Sequence, residues 1–192
     1  MASRRPRRKF GASQKERIFL ACLPDAETAA RIYALAESLK AKHGIEGTLI
    51  LPEHLHVTLF HLGDWRQVPE EMVKQASVAA VQVRLAPFDA VFDRVGSFRN
   101  RTGVFPFVLT GEKHIAAWLP LHEALAAELK RAGLGGATQG EFQPHITLAR
   151  DETRVKPEAV SPPISWTVRE IVLVHSLLGK TTHIHLGRWP LQ

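Results

Sequence analysis

The spacing of apolar and polar positions changes period several times along this chain, and each change predicts an element. Ile18 to Leu23 is an apolar run of strand length, stopped by Pro24 and by Asp25, a residue suited to cap a helix. From Ala26 to Lys42 the period is helical, with Ile32, Leu35, Ala36 and Leu39 at i, i+3, i+4 and i+7 and Gly44 as the stop. Thr48 to Leu51 and Leu55 to Leu62 predict strands, the second ended by Gly63-Asp64. Pro69, with Glu70 and Glu71 at the positive end, opens a helix predicted to reach about Val81. Arg84 to Val95 reads as a strand whose pairing Pro87 limits.

The second half repeats this plan loosely. Val104 to Thr110 is strand-like. Glu112 to Arg131 is helical, with Ile115, Trp118, Leu119, His122, Leu125, Ala126 and Leu129 on one stripe; Pro120 either kinks this helix or marks its true start. Gly133 to Gly136 is a turn, since it lacks the lysine and hydroxyl pattern of a phosphate loop. Phe142 to Ala149 predicts a strand. A proline-rich link (Pro157, Pro162, Pro163) leads to a strand over Ser165 to Leu177, and Gly179-Lys180 turns into a last strand over Thr182 to Trp189. Helices and strands alternate irregularly and hairpins gather near the end. This predicts an α+β fold with antiparallel sheet rather than a doubly wound parallel one.

Composition bounds the rest. With 192 residues, 45% of them hydrophobic, the chain suits one well-buried domain, predicted over 17–192. The formal net charge of +6 is localised. Residues 1–17 hold seven basic residues against Glu16, which leaves eighteen basic and eighteen acidic residues in the remainder. The body is neutral, and 1–16 reads as a basic, disordered tail. Its charge suits either salt-dependent attraction to RNA or simple solubility. The single cysteine, Cys22, excludes an internal disulfide and fits a reducing, cytoplasmic setting. The apolar stretch after the tail is too short for a signal sequence, and no run spans a bilayer. A monomer without membrane contact is expected.

One long-range echo carries the chemistry. His56-Val-Thr-Leu59 recurs as His145-Ile-Thr-Leu148, each in a predicted strand. Alternation puts His and Thr on one face of each strand, and Val57, Leu59, Ile146 and Leu148 on the other. Two such strands side by side line a cleft with two imidazoles and two hydroxyls. That set suits in-line displacement at a phosphodiester, which needs a base for the nucleophile and an acid for the leaving oxygen. Imidazole titrates near pH 6.5, so one ring can be neutral and the other charged. Threonine hydroxyls can hold the non-bridging oxygens, and the chemistry requires neither metal nor cofactor.

These segments resemble the 2H phosphoesterase superfamily, and within it the RNA 2′,3′-cyclic phosphodiesterase group also called the 2′-5′ RNA ligase family. The resemblance runs through Arg17 to Pro24, Glu53 to Gly63, Phe142 to Arg150 and Leu186 to Leu191. It implies a bilobal fold of two pseudo-twofold-related lobes, with the active-site groove between them. It implies metal-independent opening of RNA 2′,3′-cyclic phosphate ends, or of small cyclic nucleotides, to 2′-phosphomonoesters, with 2′-5′ ligation as the reverse reaction. His56 would then donate a proton to the leaving 3′-oxygen, His145 would accept one from water, and Thr58 and Thr147 would bind phosphate. A module that binds nucleotide or RNA without turnover, or a phosphodiesterase for another cyclic or 2′-5′-linked nucleotide, is the competing expectation. Relatives often carry a tyrosine where this chain has His183.

Other residues are weighed beside these. Arg150 directly follows the second motif and is a candidate phosphate ligand. His54 shares the face of His56, and His54 and His183 are candidate substrate contacts. His54-x-His56 with His183-x-His185 has the look of a metal site but lacks a carboxylate or cysteine at ligand spacing. His122 is read as a core-edge residue and Trp189 as core. Arg99, Asn100 and Arg101, followed by Phe105 and Phe107, combine charge with aromatics as single-strand binders do, or form a solvated turn before a core strand.

Overall fold

The computed structural model describes residues 15–192. Residues 1–14, which carry Arg4, Arg5, Arg7, Arg8 and Lys9 of the predicted tail, lie outside the described residues. In chain order the elements are β1 (Glu16–Cys22), α1 (Ala26–His43), β2 (Val57–Trp65), α2 (Glu70–Gln82), β3 (Phe88–Ser97), β4 (Phe105–Thr110), α3 (Leu119–Arg131), β5 (His145–Asp151), β6 (Glu158–Val168), β7 (Glu170–Leu177) and β8 (Thr182–Pro190). The strands form one sheet in the order β6-β3-β4-β5-β2-β1-β7-β8, with every pairing antiparallel.

The order is palindromic about its centre. In one half β1-α1-β2 places β2 innermost, and in the other β4-α3-β5 places β5 innermost. The halves meet where β2 pairs with β5 through one register pair, Val57 opposite Ile146. This is the two-lobed, pseudo-twofold α+β architecture, with the lobes joined in a continuous sheet.

One face of the sheet carries the main core. Ile18, Leu20, Val57, Leu59, Ile146 and Leu148 are buried there together with Ile32 and Leu39 of α1, Met72 and Ala76 of α2 and Leu121, Leu125 and Leu129 of α3. β1 is apolar on both faces. Phe19 and Ala21 point the other way and pack with Val172 and Val174 of β7. Cys22 is fully buried, and desolvation pushes its thiol well above the ordinary range, away from thiolate chemistry.

Capping follows the sequence closely at α1. The Asp25 carboxylate accepts from the Thr28 N–H at 2.8 Å, and Gly44 takes the left-handed conformation (φ 64°) that closes the helix. The start of α3 settles the two readings of Pro120. A 3₁₀ turn over Glu112–Ala117 precedes it, and Pro120 sits in the first turn of α3, where its missing N–H has no partner to lose. The stripe predicted across this region shifts accordingly: Leu121 is buried in place of Leu119, which is exposed.

Four further expectations need correction. Thr48 to Leu51 forms no strand; it is an extended loop held by one bond from Ile50 N–H to the Leu148 carbonyl, 2.8 Å. The strand predicted from Arg84 starts only at Phe88, beyond Pro87. Pro162 and Pro163 lie inside β6 instead of a linker. They are tolerated because β6 is an edge strand, where a missing donor breaks no interior ladder. The run from Ser165 to Leu177 is two strands, β6 and β7, broken at Arg169, and they stand at distant positions in the sheet.

The loop over 45–51 is clamped to the second half by Asp151. Its buried carboxylate accepts N–H bonds from Glu46 (2.8 Å), Gly47 (2.6 Å) and Thr153 (2.6 Å). Gly47 is required by proximity, since a Cβ there would lie 2.1 Å from the Arg150 carbonyl oxygen. The three donors hold the Asp151 carboxyl below its ordinary value. Asp151→Ala is expected to cost about 1–3 kcal/mol in urea unfolding, because it leaves backbone donors without their acceptor. The clamp contributes fully above the unfolded carboxylate value of about 3.9 and is lost as pH falls below it, so the gap between wild type and Asp151→Ala should narrow in acid.

Candidate active site

Both motifs reach the same cleft through strand alternation. Val57 and Ile146 are fully buried on the core face, which turns His56, Thr58, His145 and Thr147 to the opposite face, where all four line a cavity of about 620 Å³. His56 stands immediately before β2 and His145 is the first residue of β5. The cleft is completed by Arg17 and Phe19 of β1, the Thr48–Leu51 loop, and the β7–β8 hairpin with Gly179 and Thr181.

The two imidazoles are held in the same way. The His56 Nδ1–H donates to the carbonyl oxygen of His54, 2.7 Å, and the His145 Nδ1–H donates to that of Gln143, also 2.7 Å. A carbonyl can only accept, so each bond fixes the proton on Nδ1 of the neutral ring and leaves Nε2 as the basic, proton-exchanging nitrogen. Each motif therefore carries its own orienting acceptor two residues upstream.

The surroundings of the two rings differ. Phe19 stacks on His56 with ring centroids 4.7 Å apart, and His183 sits edge-on to it at 5.6 Å. His183 also meets His54 at 4.5 Å. His145 has Phe98 edge-on at 4.9 Å and Arg150 in the same cleft. Burial lowers the pKa of both rings. The carbonyl bonds oppose that shift, and neighbouring positive charge adds to it: His145 and His54 at His56, Arg150 at His145. His183 is pushed down to about 4, first by desolvation and then by His56, His54 and His185.

The other sequence candidates are placed as follows. His54, His183 and Arg150 all line the cleft, His54 from a 3₁₀ turn over Pro52–His54. Among the described residues no group of three or more His, Cys, Asp or Glu side chains is arranged to hold a metal ion. His122 lies outside the cleft, stacked between Phe60 (4.3 Å) and Phe142 (4.0 Å). Trp189 is half-buried against the core. Phe107 is fully buried, so it is not available to stack a base; Phe98 is the aromatic of that region that reaches the site.

Phe19 and Arg17 were not legible as site residues. The apolar period of β1 would have turned Phe19 away from Ile18 and Leu20, but only the sheet order shows what it faces. Arg17 makes a bidentate pair with Asp64 at 2.6 and 2.7 Å, and His61 shares that carboxylate at 2.9 Å. This pair holds the Asp64 carboxyl far below its usual range and neutralises one end of the cleft. Among the described residues, no helix is long and apolar enough to cross a membrane.

Comparison with known proteins supports the fold and shows the family. The family model for the 2′-5′ RNA ligase superfamily matches residues 24–180. LigT of E. coli in its apo form is 28% identical, with a TM-score of 0.72 over 93% of this chain and 99% of that one. The same protein complexed with 3′-AMP is similar at 28% identity and a TM-score of 0.65, again over 93% and 99%. TT0787 of Thermus thermophilus is 27% identical, with a TM-score of 0.69 over 91% of this chain and 97% of that one. No curated protein matches the chain significantly.

The edge-on contact of His183 with His56 lets the charge of one imidazole act on the other, which gives a measurement. The His183 ring should titrate near 4 by NMR, and His56 and His145 below the ordinary 6.5. In His56→Gln the charge opposing His183 is gone, so its midpoint should rise, while staying below 6.5 because desolvation, the larger cause, persists.

Proposed function

The chain belongs to the 2′-5′ RNA ligase superfamily, and on that footing we propose that it opens RNA 2′,3′-cyclic phosphate ends to 2′-phosphomonoesters, with 2′-5′ ligation as the same ring opening by a 5′-hydroxyl in place of water. The observation that carries this reading is the matched pair of imidazoles, each with Nδ1 tied to a carbonyl and Nε2 left free in one cleft. The complexes of E. coli LigT with 3′-AMP and with phosphate support an occupant of nucleotide size and charge.

The roles follow from access and chemistry. His145, the more open ring, takes the proton of an attacking water on Nε2. His56, enclosed by Phe19 and His183, donates from Nε2 to the 3′-oxygen as its bond to phosphorus breaks. The Thr58 and Thr147 hydroxyls hold the non-bridging oxygens, and Arg150 stabilises the charge that develops on them. The ring faces of Phe19, His54 and His183 suit the terminal nucleoside. Low pKa values help the acid, since a depressed imidazolium gives its proton up more readily.

Three outcomes test this. With EDTA present, the enzyme should convert a cyclic-phosphate oligonucleotide to a product that mass spectrometry and phosphatase mapping assign as the 2′-phosphomonoester. His56→Ala and His145→Ala should each lower kcat by about 10²–10⁴-fold, and Thr58→Ala or Thr147→Ala by about 10–100-fold, as for loss of a charged hydrogen bond. Tight nucleotide binding with no turnover would point instead to a binding module. The pH profile of kcat/KM should be bell-shaped and already falling above about pH 6.5, because both free-enzyme imidazoles lie below that value. The kcat profile should fall at higher pH, since the bound anion favours the imidazolium.

A further inference from the structure

We propose that the β3–β4 turn, with Arg99 and Arg101 beside Phe98, is the docking surface for a second RNA strand, the one that brings a 5′-hydroxyl to the cyclic phosphate. The inference rests on the reading of the cleft given above and specifies where its nucleophile strand lies.

The two sides of the cleft are unequal. Around His56 the neighbours are Phe19, His54 and His183, with His183 held neutral at ordinary pH. Around His145 stand Phe98 and Arg150. Phe98 opens the β3–β4 turn, and its N–H bonds to the Pro106 carbonyl at 3.0 Å; Pro106 is the β4 partner of Arg150. The turn that follows is tied to itself, with Asn100 Nδ2 on the Val104 carbonyl at 2.9 Å and the Thr102 N–H on Asn100 Oδ1 at 3.3 Å. Asn100 is thus a structural residue, and its turn holds Arg99 and Arg101 at the surface. Both arginines are exposed, and among the described residues neither they nor Arg150 form an ion pair, whereas Arg17, Arg131 and Arg188 do. Asp151, the nearest carboxylate in sequence to Arg150, is engaged by backbone N–H groups, which leaves exposed Glu152 as the acidic neighbour.

In-line displacement assigns the two sides to two strands. The leaving 3′-oxygen belongs to the ribose of the cyclic phosphate and lies at His56, so that strand departs from the His56 side. The nucleophile enters opposite, at His145. In ligation the 5′-oxygen forms a bond to phosphorus and the phosphorus–3′-oxygen bond breaks. The 5′-hydroxyl proton passes to His145 Nε2, and His56 Nε2 delivers one to the 3′-oxygen. The nucleophile is then the end of a polyanion, and it lies on the side where unpaired guanidiniums and an aromatic ring stand. Phosphates of the incoming strand suit the arginines, and its first base suits Phe98. Water needs none of these contacts.

The test compares three reactions in wild type and in the double variants Arg99→Ala/Arg101→Ala and Arg99→Glu/Arg101→Glu. They are hydrolysis of a 2′,3′-cyclic mononucleotide, hydrolysis of a cyclic-phosphate oligonucleotide, and ligation of that oligonucleotide to one with a 5′-hydroxyl. Ligation should fall about tenfold or more, further with glutamate, while both hydrolyses stay within about twofold. The log–log salt slope of ligation should flatten by about 1.4 on loss of two charges from a single-strand site. Equal losses in ligation and oligonucleotide hydrolysis would put the cyclic-phosphate strand on the turn and overturn the proposal, as would unchanged ligation or a wild type that hydrolyses without ligating. A wild type that hydrolyses neither substrate would instead overturn the underlying reading of the cleft.

Discussion

Val57 opposite Ile146 is the one register pair through which the two halves of the sheet meet, and the arrangement of the site depends on it. Side chains in a strand alternate with period 2, so burying this pair commits the flanking residues to the other face. His56 and Thr58 flank Val57, and His145 and Thr147 flank Ile146. A slip of one residue in either strand would bury an imidazole in the helix-side core and expose a branched aliphatic side chain to the cleft. The apolar pair and its neighbours, Leu59 and Leu148, thus fix the orientation of the polar groups without touching a substrate.

The same near-symmetry accounts for the identical anchoring of the rings. Each histidine stands where the chain enters an inner strand, and the residue two positions upstream lies outside that strand, so its carbonyl is available to the ring. The symmetry ends with the neighbours. β7 and β8 deliver His183 to the His56 side, whereas the β3–β4 turn delivers Phe98 to the His145 side. A pair of like groups thereby acquires unlike surroundings: one ring enclosed by Phe19 and His183, the other more open with Phe98 and Arg150 beside it. A reaction that needs one proton donor and one proton acceptor requires such a difference.

Charge is distributed in a related way. The excess of +6 confined to residues 1–17 says little about the cleft. Arg17, the last of that run, is engaged by Asp64 at the rim. Arg150, which lines the cleft, and the exposed arginines of the β3–β4 turn belong to a body with no net charge. Local placement, rather than the total, makes this surface attractive to a polyanion.

Much was legible in the sequence wherever a local rule decides the outcome. Asp25 and Gly44 bound α1, Pro120 opens α3, and the duplicated His-x-Thr spacing puts an imidazole and a hydroxyl on one face of each inner strand. These depend on dihedral preference and on alternation, which act over a few residues. The sequence could not show that Pro162 and Pro163 sit in a strand, because only an edge position makes the missing donors harmless. It could not show that Ser165 to Leu177 divides between opposite ends of the sheet. Nor could it show that Phe98, and not the buried Phe107, stands against His145. Those outcomes are set by which strands become neighbours, and that is decided by burial summed over the whole chain rather than by any segment's own pattern.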